Sequence, residues 1–487
     1  MRPVTIDYIA AGTEGRIWAR AEGGMYDTVD NVAIDNRNVR ENGLFFAIIG
    51  ERVDAHRFLP DVVERGCHTV VVSDREWADK MKEAGDVNVI LVEDTTRAIM
   101  RLAKKYMEDW PELRRVAVTG SVGKTSTKEF VYSVLSSKYK TGKTPGNLNS
   151  EYGIPLTVFG LDPDTEIAVI EIGLGYGADM EDLVDMVKPE AAIVTTIGSA
   201  HMRVFGTREK LAEAKLAITT GFGRNGQKGV LVVNSDCHEL EPQWIRQHTK
   251  GDFDIVTIGT GNRCDYRISG ICDEGIDGVK CTLEFGAREG RETGGRLEMK
   301  LPVIGAHNSW NAALAIALGA RLGISEEDGI EALKNVYSND NRLDVSETQK
   351  YTVINDTYNA SPESMKAALD ILSRSKRKGR SVAVFGDMLE LGADSAALHR
   401  SVGEYSLETG LDVLVTVGEL AADITEGARE KSEDGKKAPV IISYENRAEA
   451  EKDLPSRLQE GDLVIVKASR GMALEELVKV LVEEGDR

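Results

Sequence analysis

One short stretch, Arg115 to Ser126, constrains the fold of this chain more than any other. It reads R-V-A-V-T-G-S-V-G-K-T-S, in which an apolar strand-like run is followed by two glycines and then by residues with helical spacing. A strand, a glycine turn and a helix in this order are typical of a parallel α/β sheet that carries a phosphate-binding loop. The stretch therefore predicts an α/β protein that binds a nucleotide.

Each residue type in this loop suits a nucleoside triphosphate. Gly120 and Gly123 let backbone N–H groups converge on one phosphate, and the N-terminus of the following helix adds its partial positive charge. Lys124 supplies a point charge for the β- and γ-phosphates, and the Thr125 hydroxyl is placed to bind Mg2+. Only two residues separate Gly120 from Gly123, whereas the common form of the loop has four before Gly-Lys. The alternative for so short a motif is a glycine turn that only joins a strand to a helix.

The length and charge of the chain narrow the other possibilities. At 487 residues it is too long for one ordinary domain, and a net charge of −20 argues against non-specific binding to nucleic acid. No apolar run approaches the length of a membrane span, and the N-terminus lacks the apolar core of a signal peptide. The five cysteines lack the spacing of a metal site, so reduced thiols are expected. These features predict a cytoplasmic protein of three domains that binds neither nucleic acid nor a membrane.

Residues 1–108 alternate short apolar runs with helical segments and are predicted to form an N-terminal α/β domain. The polar triplet Asp35, Asn36 and Arg37 directly follows a strand candidate, where α/β sheets commonly form small-molecule sites. Taken alone, the triplet is better explained as a capped turn. Pro111 follows a predicted helix and marks the boundary to the next domain.

Residues 109–335 are predicted to form a central parallel-sheet domain around the phosphate loop. The turn-rich segment 144–150 presents Asn147 and Asn149 as hydrogen-bonding side chains for a substrate. Glu171 ends an apolar run, and a carboxylate there is costly unless a cation such as Mg2+ at the phosphate loop pairs with it. His201 follows the strand candidate 191–197 and is expected at the same sheet edge. Without the loop beside them, Glu171 would as readily emerge into solvent and His201 would be a structural residue.

The rest of the central domain gives three further expectations. Lys215 lies amid small residues on a helix predicted over 209–220, a pattern that favours a lysine directed outward into solvent. Residues 250–300 are rich in glycine and short strand-like runs and predict an antiparallel excursion, to which we assign no chemistry. Asn308 stands at the start of an alanine-rich helix, where polar side chains can reach a ligand.

Residues 336–487 contain four strand candidates separated by helical segments, which predicts a third, Rossmann-like α/β domain. Polar loops follow three of these strands, at 355–365, 386–392 and 467–471. Because the carboxyl ends of parallel strands meet at one edge of a sheet, the three loops are predicted to share a ligand-facing edge.

Taken together, these motifs resemble the Mur ligase family over essentially the whole chain. The shortened loop, Glu171-Ile172-Gly173, Ala200-His201 and Gly305-Ala306-His307-Asn308 are similar to signatures of the family's central domain. D-T-Y-N-A-S-P-E-S-M at 356–365 and G-D-M-L-E-L-G at 386–392 resemble the members that add D-alanyl-D-alanine. The resemblance implies an ATP-dependent amide ligase with an N-terminal UDP-sugar-binding domain, a central ATP-binding domain and a C-terminal ligase domain.

The resemblance also implies roles for individual residues. Glu171, His201 and Lys215 would join Lys124 as catalytic residues, with Lys215 carbamylated by CO2 so that it supports a metal. The implied metal ligands are Thr125, Glu171, His201 and carbamylated Lys215. The residues implied for ATP are Gly120, Ser121, Val122, Gly123, Lys124, Thr125, Ser126, Asn308, Arg342 and Asp356. Those implied for the other substrates are Asp35, Asn36 and Arg37 for the UDP-sugar, and Asn359, Ser361 and Pro362 for the incoming dipeptide.

The implied reaction joins D-Ala-D-Ala to UDP-N-acetylmuramoyl-tripeptide, a step of peptidoglycan synthesis, with ATP and Mg2+ and with a monomer as the expected state. The tripeptide carboxylate would attack the γ-phosphate to give an acyl phosphate, from which the amine of the dipeptide then displaces phosphate. Two alternatives stay open. One is a related ligase that adds a different amine, such as diaminopimelate, and the other is a phosphate-loop kinase or NTPase, which amine-dependent phosphate release would distinguish.

Overall fold

The computed structural model describes the chain except for residues 25, 51–52, 175–179, 199–204, 224–225, 288–292, 335, 337–341, 377, 390, 433–437 and 487. Three large sheets follow one another along the sequence, each combined with helices, as the predicted α/β fold class requires. The chain divides into two compact units. The first comprises Met1–Ile268, Glu284–Gly295 and Trp310–Leu333, and the second Ser269–Leu283, Arg296–Ser309 and Lys334–Arg487. The domain bounds 1–108, 109–335 and 336–487 remain predictions.

The N-terminal sheet is formed within the first 108 residues. Its strands and the short pair beside it are β1 (Val4–Thr5), β2 (Arg16–Ala19), β3 (Thr28–Val29), β4 (Asn31–Ala33), β5 (Gly43–Phe46), β6 (Thr69–Val72) and β7 (Asn88–Leu91). The helices are α1 (Ile6–Thr13), α2 (Leu59–Glu64), α3 (Arg75–Glu83) and α4 (Thr95–Glu108). Strands β4, β5, β6 and β7 are parallel neighbours in that order, and β2 lies antiparallel to β7 at the edge. Every residue of β5 and β6 is buried, which matches their continuous apolar sequence.

The central sheet surrounds the strand that leads into the phosphate loop. Its strands are β8 (Arg114–Thr119), β9 (Thr141–Lys143), β10 (Ile167–Glu171), β11 (Ala191–Val194), β12 (Gly229–Asn234), β13 (Phe253–Gly259), β14 (Tyr266–Asp273), β15 (Val279–Phe285) and β16 (Gly295–Leu301). The helices are α5 (Lys124–Ser136), α6 (Gly153–Gly160), α7 (Met180–Val187), α8 (Arg208–Leu216), α9 (Pro242–His248), α10 (Asn308–Arg321) and α11 (Glu326–Leu333). The order is β16-β15-β14-β13-β12-β11-β8-β10-β9, and β8 lies between β10 and β11, parallel to both. The phosphate loop therefore leaves the sheet beside the carboxyl ends of two parallel neighbours, where α/β sheets place their ligands.

The prediction of an antiparallel excursion over residues 250–300 was wrong in its first part. Strand β13 extends the parallel sheet beside β12 over six paired residues, and β14 starts parallel to β13. The glycine-rich composition of residues 250–300 did not indicate that this region contains the buried parallel strand β13. The turn between β14 and β15 lies in the second unit, where the Ile276 N–H donates to Ser375 Oγ at 3.2 Å and Arg374 lies 3.7 Å from Asp273. A Cβ on Gly275 would collide with Ser375, which directly follows the helix at Pro362–Arg374. The turn therefore fits closely against the C-terminal end of that helix.

The C-terminal sheet is doubly wound. Its strands are β17 (Asp344–Glu347), β18 (Thr352–Asp356), β19 (Ser381–Gly386), β20 (Val413–Val417), β21 (Val440–Tyr444) and β22 (Leu463–Lys467). The helices are α12 (Pro362–Arg374), α13 (Ser395–Ser406), α14 (Ala422–Ser432), α15 (Arg447–Arg457) and α16 (Glu475–Gly485). Strands β18, β22, β19, β20 and β21 are parallel neighbours in that order, and β17 is antiparallel at the edge. Alternate residues pack into two separate cores, so that Ala383 and Phe385 face one layer of helices and Val382 and Val384 face the other.

The sequence predicted reduced cysteines and no membrane-spanning segment. In the structure all five cysteines are free thiols. Among the residues that the structure describes, no helix combines the length and the apolar composition needed to cross a bilayer.

Candidate active site

The phosphate loop connects β8 to α5 through two glycines whose conformations other residues rarely adopt. Gly120 has φ +145° and Gly123 has φ +83°. A Cβ on Gly120 would collide with Thr195 Oγ1, so the loop can pass the end of β11 only because this residue has no side chain. The Ser121 N–H donates to the Thr196 carbonyl at 2.8 Å and fixes the loop on the neighbouring chain segment. The first N–H groups of α5 have no acceptor within their own helix, which is the arrangement that binds phosphate.

Two lysines share one carbonyl oxygen of this loop. Lys124 Nζ donates to Gly120 O at 2.9 Å, and Lys215 Nζ donates to the same oxygen at 3.0 Å. Lys215 is 1% exposed, so the expectation that it points outward into solvent was wrong. The reason is that α8 packs this face against the central core, together with Leu211, Ala212 and Leu216. Burial, together with the nearby Lys124 ammonium, lowers the pKa of Lys215 from 10.5 to about 7.

Glu171 lies at the end of β10 and is buried, as its position in the sequence predicted. Its Oε1 accepts hydrogen bonds from Asn149 Nδ2 at 2.7 Å and from the Thr125 hydroxyl at 3.2 Å. Its Oε2 is buried and accepts no hydrogen bond from the described residues. A carboxylate oxygen with free lone pairs beside a threonine hydroxyl of the phosphate loop is a donor set that Mg2+ prefers. The residues present therefore fit a magnesium ion that is shared with the phosphates of ATP.

The wider metal site is only partly described. His201 falls outside the described residues, so its predicted role stays a prediction. In the described part of the chain, no cluster of three histidine, cysteine, aspartate or glutamate side chains could hold a metal by itself. Lys215 would add a carboxylate-like group only if it is carbamylated.

The turn-rich segment 144–150 is tied to Glu171 and to α5. The Thr144 hydroxyl accepts the Glu171 N–H at 2.9 Å, and the carbonyl of Asn149 accepts the Gly173 N–H at 2.8 Å. The amide of Asn149 thus orients Glu171 in this structure, while Asn147 is exposed. The sequence analysis missed Lys128, which is buried on α5 and donates to Gly146 O at 2.8 Å. Its position one helical turn after Lys124 was the available signal.

The predicted UDP-sugar residues form a capped turn in the N-terminal sheet. Asp35 caps a short 3-10 helix at residues 36–38 and accepts from the Arg37 side chain at 2.9 and 2.6 Å, which lowers the pKa of Asp35 to about 2. Asn36 Nδ2 donates to Asp61 Oδ2 at 2.7 Å. The guanidinium of Arg37 remains largely exposed, so it can still meet an anionic ligand.

The three polar loops of the C-terminal sheet meet at one edge, as predicted. Lys467 at the end of β22 donates to Asp356 Oδ2 at 2.7 Å and to the Asn359 carbonyl at 2.8 Å. The Ser469 N–H donates to the Asp387 carbonyl at 3.1 Å, and Ser469 Oγ accepts the Leu389 N–H at 2.8 Å. Burial raises the pKa of the Asp356 carboxyl, and the Lys467 ammonium acts in the opposite direction.

Other predicted residues of the second unit are held by local structure. Arg342 lies over the Tyr358 ring, with 3.7 Å between the guanidinium carbon and the ring centre. Ser361 and Pro362 form the N-terminus of α12, where Ser361 and Ser364 make a reciprocal cap. Asn308 is buried at the start of α10, and its amide donates to the Ile304 carbonyl at 2.8 Å.

One further residue of this edge escaped the sequence analysis. His399 on α13 is buried, its Nε2 accepts the Met388 N–H at 3.0 Å, and its Nδ1 donates to the Ser395 carbonyl at 2.8 Å. These two bonds place a ring proton on Nδ1 and hold the loop after β19 in place. No sequence pattern identified this histidine, because its partners are a loop N–H and a carbonyl of its own helix.

Comparisons with known proteins agree with this architecture. Residues 118–319 match the model of the Mur ligase middle domain, and residues 341–470 match that of the Mur ligase, glutamate ligase domain. A UDP-N-acetylmuramoyl-tripeptide--D-alanyl-D-alanine ligase of Bacillus subtilis is 36% identical over 93% of each chain. MurF from Acinetobacter baumannii superposes with a TM-score of 0.85 at 28% identity over 99% of each chain. MurF from Thermotoga maritima, solved in complex with ADP, gives 0.72 at 26% identity over 94% of this chain and 98% of that one.

These matches confirm the family resemblance and the three-part α/β fold that the motifs predicted. They extend through the N-terminal sheet as well as through the two matched domains. The chain therefore belongs to the Mur ligase family.

Proposed function

We propose that the protein is an ATP-dependent ligase that joins D-Ala-D-Ala to UDP-N-acetylmuramoyl-tripeptide in peptidoglycan synthesis. One observation carries the proposal: a shortened phosphate loop with Lys124, and with Thr125 in contact with a buried Glu171, stands in a chain that matches such a ligase over 93% of its length. A solved relative that binds ADP supports the use of ATP at this loop. The reaction belongs to the cytoplasm, where ATP and UDP-linked precursors are available, and the working state is a monomer.

The chemical difficulty of this reaction is the approach of two anions. The tripeptide carboxylate attacks the γ-phosphate and ADP leaves. The amine of the dipeptide then attacks the acyl carbon of the resulting acyl phosphate, so that the amide bond forms and phosphate leaves. Lys124, the first residue of α5, offsets phosphate charge, while the N–H groups at the start of α5 orient the phosphates. Thr125 and Glu171 would hold Mg2+, which supplies further neutralisation of phosphate charge when it is bound. Positioning and charge neutralisation together are expected to provide most of the rate enhancement.

Lys215 has the properties that carbamylation requires. CO2 reacts with a neutral amine, and a lysine with a pKa of about 7 is largely neutral at physiological pH. The carbamate would replace a buried, largely neutral amine by an anion and would support a metal, together with His201. Lys124 then remains as the cation that faces the phosphates.

Each substrate is assigned to one of the three predicted domains. Residues 1–108 bind the UDP-sugar through the turn at Asp35, Asn36 and Arg37, and residues 109–335 bind ATP. Residues 336–487 deliver the dipeptide near Asn359, Ser361 and Pro362. Asn147 and Asn149 contribute contacts to substrate, and Asn308, Arg342 and Asp356 contribute contacts to the nucleotide.

Phosphate release coupled to product mass tests the proposal. Purified protein is incubated with ATP, Mg2+ and UDP-N-acetylmuramoyl-tripeptide, and with D-Ala-D-Ala, diaminopimelate or no amine, and the product is analysed by mass spectrometry. Release that needs both substrates, with a product heavier by one dehydrated dipeptide, supports the ligase. Release that ignores the dipeptide supports a kinase or NTPase instead, and release that needs diaminopimelate supports a different amine specificity.

A further inference from the structure

Lys128 is a buried cation for which the reaction described above provides no role. Its side chain is 0% exposed, one helical turn beyond Lys124 on α5. A buried ammonium carries a large desolvation penalty unless it has both hydrogen bonds and a counter-charge. Lys128 has both, because Nζ donates to Gly146 O at 2.8 Å and lies near two carboxylates.

These two carboxylates are not equivalent partners of Lys128. Glu129 lies 3.3 Å away, but it also forms a close ion pair with Lys143. Glu171 Oε2 lies 3.7 Å from Lys128 Nζ and accepts no hydrogen bond from the described residues. The ammonium therefore compensates the charge of this oxygen without occupying its lone pairs.

We propose that Lys128 is a positioning residue that acts as the built-in counter-charge of Glu171 and makes divalent-metal binding depend on the nucleotide. Any cation on Glu171 Oε2 lies within about 6 Å of Lys128 Nζ, because Mg–O bonds are about 2.1 Å long. At that distance a like charge in a buried site opposes the metal strongly. Phosphate oxygens of ATP overcome this repulsion, so the metal binds well only together with the nucleotide.

The same lysine links the metal ligand to the turn-rich segment. Gly146, whose carbonyl it binds, belongs to the segment that also supplies Asn149 to Glu171 Oε1. Lys128 thus attracts Glu171 Oε2 by its charge, and its hydrogen bond to Gly146 holds the segment whose Asn149 binds Glu171 Oε1. The carboxylate of Glu171 is therefore already oriented before the metal binds.

Metal binding without turnover tests this role. Mn2+ serves as the probe, and its free concentration is measured by electron paramagnetic resonance in the presence and absence of ATP. Without nucleotide, Lys128→Met should bind Mn2+ at least about tenfold more tightly than the wild-type protein, because a nearby like charge is removed. With ATP present, the difference in Mn2+ affinity between the two proteins should shrink, since the phosphate oxygens then supply most of the negative charge that binds the metal.

Matched variants separate charge from structure. Lys128→Arg keeps the charge and should bind Mn2+ as the wild type does. Lys143→Met removes the other lysine of the cluster, which pairs with Glu129, and should also leave Mn2+ affinity unchanged. Equal or weaker Mn2+ binding by Lys128→Met in the absence of ATP would overturn the proposal.

Because this role rests on the proposed function of Glu171 as a metal ligand, Glu171→Gln is measured in parallel. If Glu171→Gln leaves Mn2+ binding with ATP unchanged, the metal role of Glu171 itself fails. If it weakens binding while Lys128→Met has no effect, only the role of Lys128 fails.

Stability gives a second, independent measurement. Lys128→Met should lower the melting temperature, because Glu171 loses its counter-charge, and the double variant Lys128→Met/Glu171→Gln should recover most of the loss. Recovery supports the pairing even if the single variant does not fold. If neither the single nor the double variant folds, Lys128 serves Gly146 rather than Glu171, and the proposal is wrong.

Discussion

Lys215→Met should stabilise the protein by an amount that depends on pH. In the folded chain the pKa of Lys215 is about 7, whereas the unfolded value is 10.5. Between these values unfolding takes up one proton, so the stability of the wild-type protein rises with pH across this window. Below pH 7 the folded protein carries the full cost of the buried ammonium. At about 1.4 kcal/mol per pH unit, that cost is about 5 kcal/mol at pH 6.5 and falls to about 2 kcal/mol at pH 9.

Urea unfolding of the wild type and of Lys215→Met measures this difference. Tryptophan fluorescence is a suitable signal, because all five tryptophans lie in the first compact unit together with Lys215. Buffers are kept free of CO2 so that the amine is not carbamylated. The advantage of Lys215→Met should shrink by about 2–3 kcal/mol between pH 6.5 and pH 9.

Lys210→Met is the matched control, since Lys210 is exposed on the same helix. Its effect on stability should be small and independent of pH. If the advantage of Lys215→Met is also independent of pH over this range, the pKa of Lys215 in the folded protein is near its ordinary value. The case for a neutral, carbamylation-ready amine would then be lost.

Three further predictions concern single side chains. Lys124→Ala should abolish ATP-dependent phosphate release with little change in the melting temperature, because this partly exposed lysine serves the phosphates; undiminished ligation would refute the assignment of the loop. Lys467→Met should destabilise the C-terminal unit by about 3–5 kcal/mol, because Asp356 loses the ammonium group that pairs with it. Adding Asp356→Asn should restore resistance to urea, and a double variant without recovery would argue against the ion pair of Lys467 and Asp356. His399→Leu should cost about 1–3 kcal/mol in urea unfolding, because the Met388 N–H loses its acceptor, and an unchanged midpoint would contradict that reading.

Local sequence patterns predicted those parts of the site that depend on neighbouring residues. The phosphate loop could be recognised because a strand, two glycines and a helix start follow one another within 12 residues. Glu171 could be placed because a charged residue at the end of an apolar strand needs a partner. The shared edge of the three C-terminal loops followed from the geometry of parallel strands alone.

The remaining features depend on contacts between distant parts of the chain. The burial of Lys215 is set by what α8 packs against, and its partner Gly120 lies 95 residues earlier. The pair of Lys467 and Asp356 requires β22 to lie beside β18, although 111 residues separate the two side chains. Composition gave a partly wrong prediction for residues 250–300, because glycine-rich segments flank the apolar strand β13.

The close fit of the β14–β15 turn against α12 matters for anyone who exchanges parts between related ligases. The second unit is assembled from three separate stretches, two of which precede residue 310. A chimera joined by one cut near residue 336 would take Ser375 and Arg374 from one parent and Asp273, Gly275 and Ile276 from the other. A parent with a larger residue at position 275 would then force the turn away from the helix. Exchange of the whole second unit therefore needs five matched junctions, because residues 269–283 and 296–309 must come from the same parent as residues 334–487.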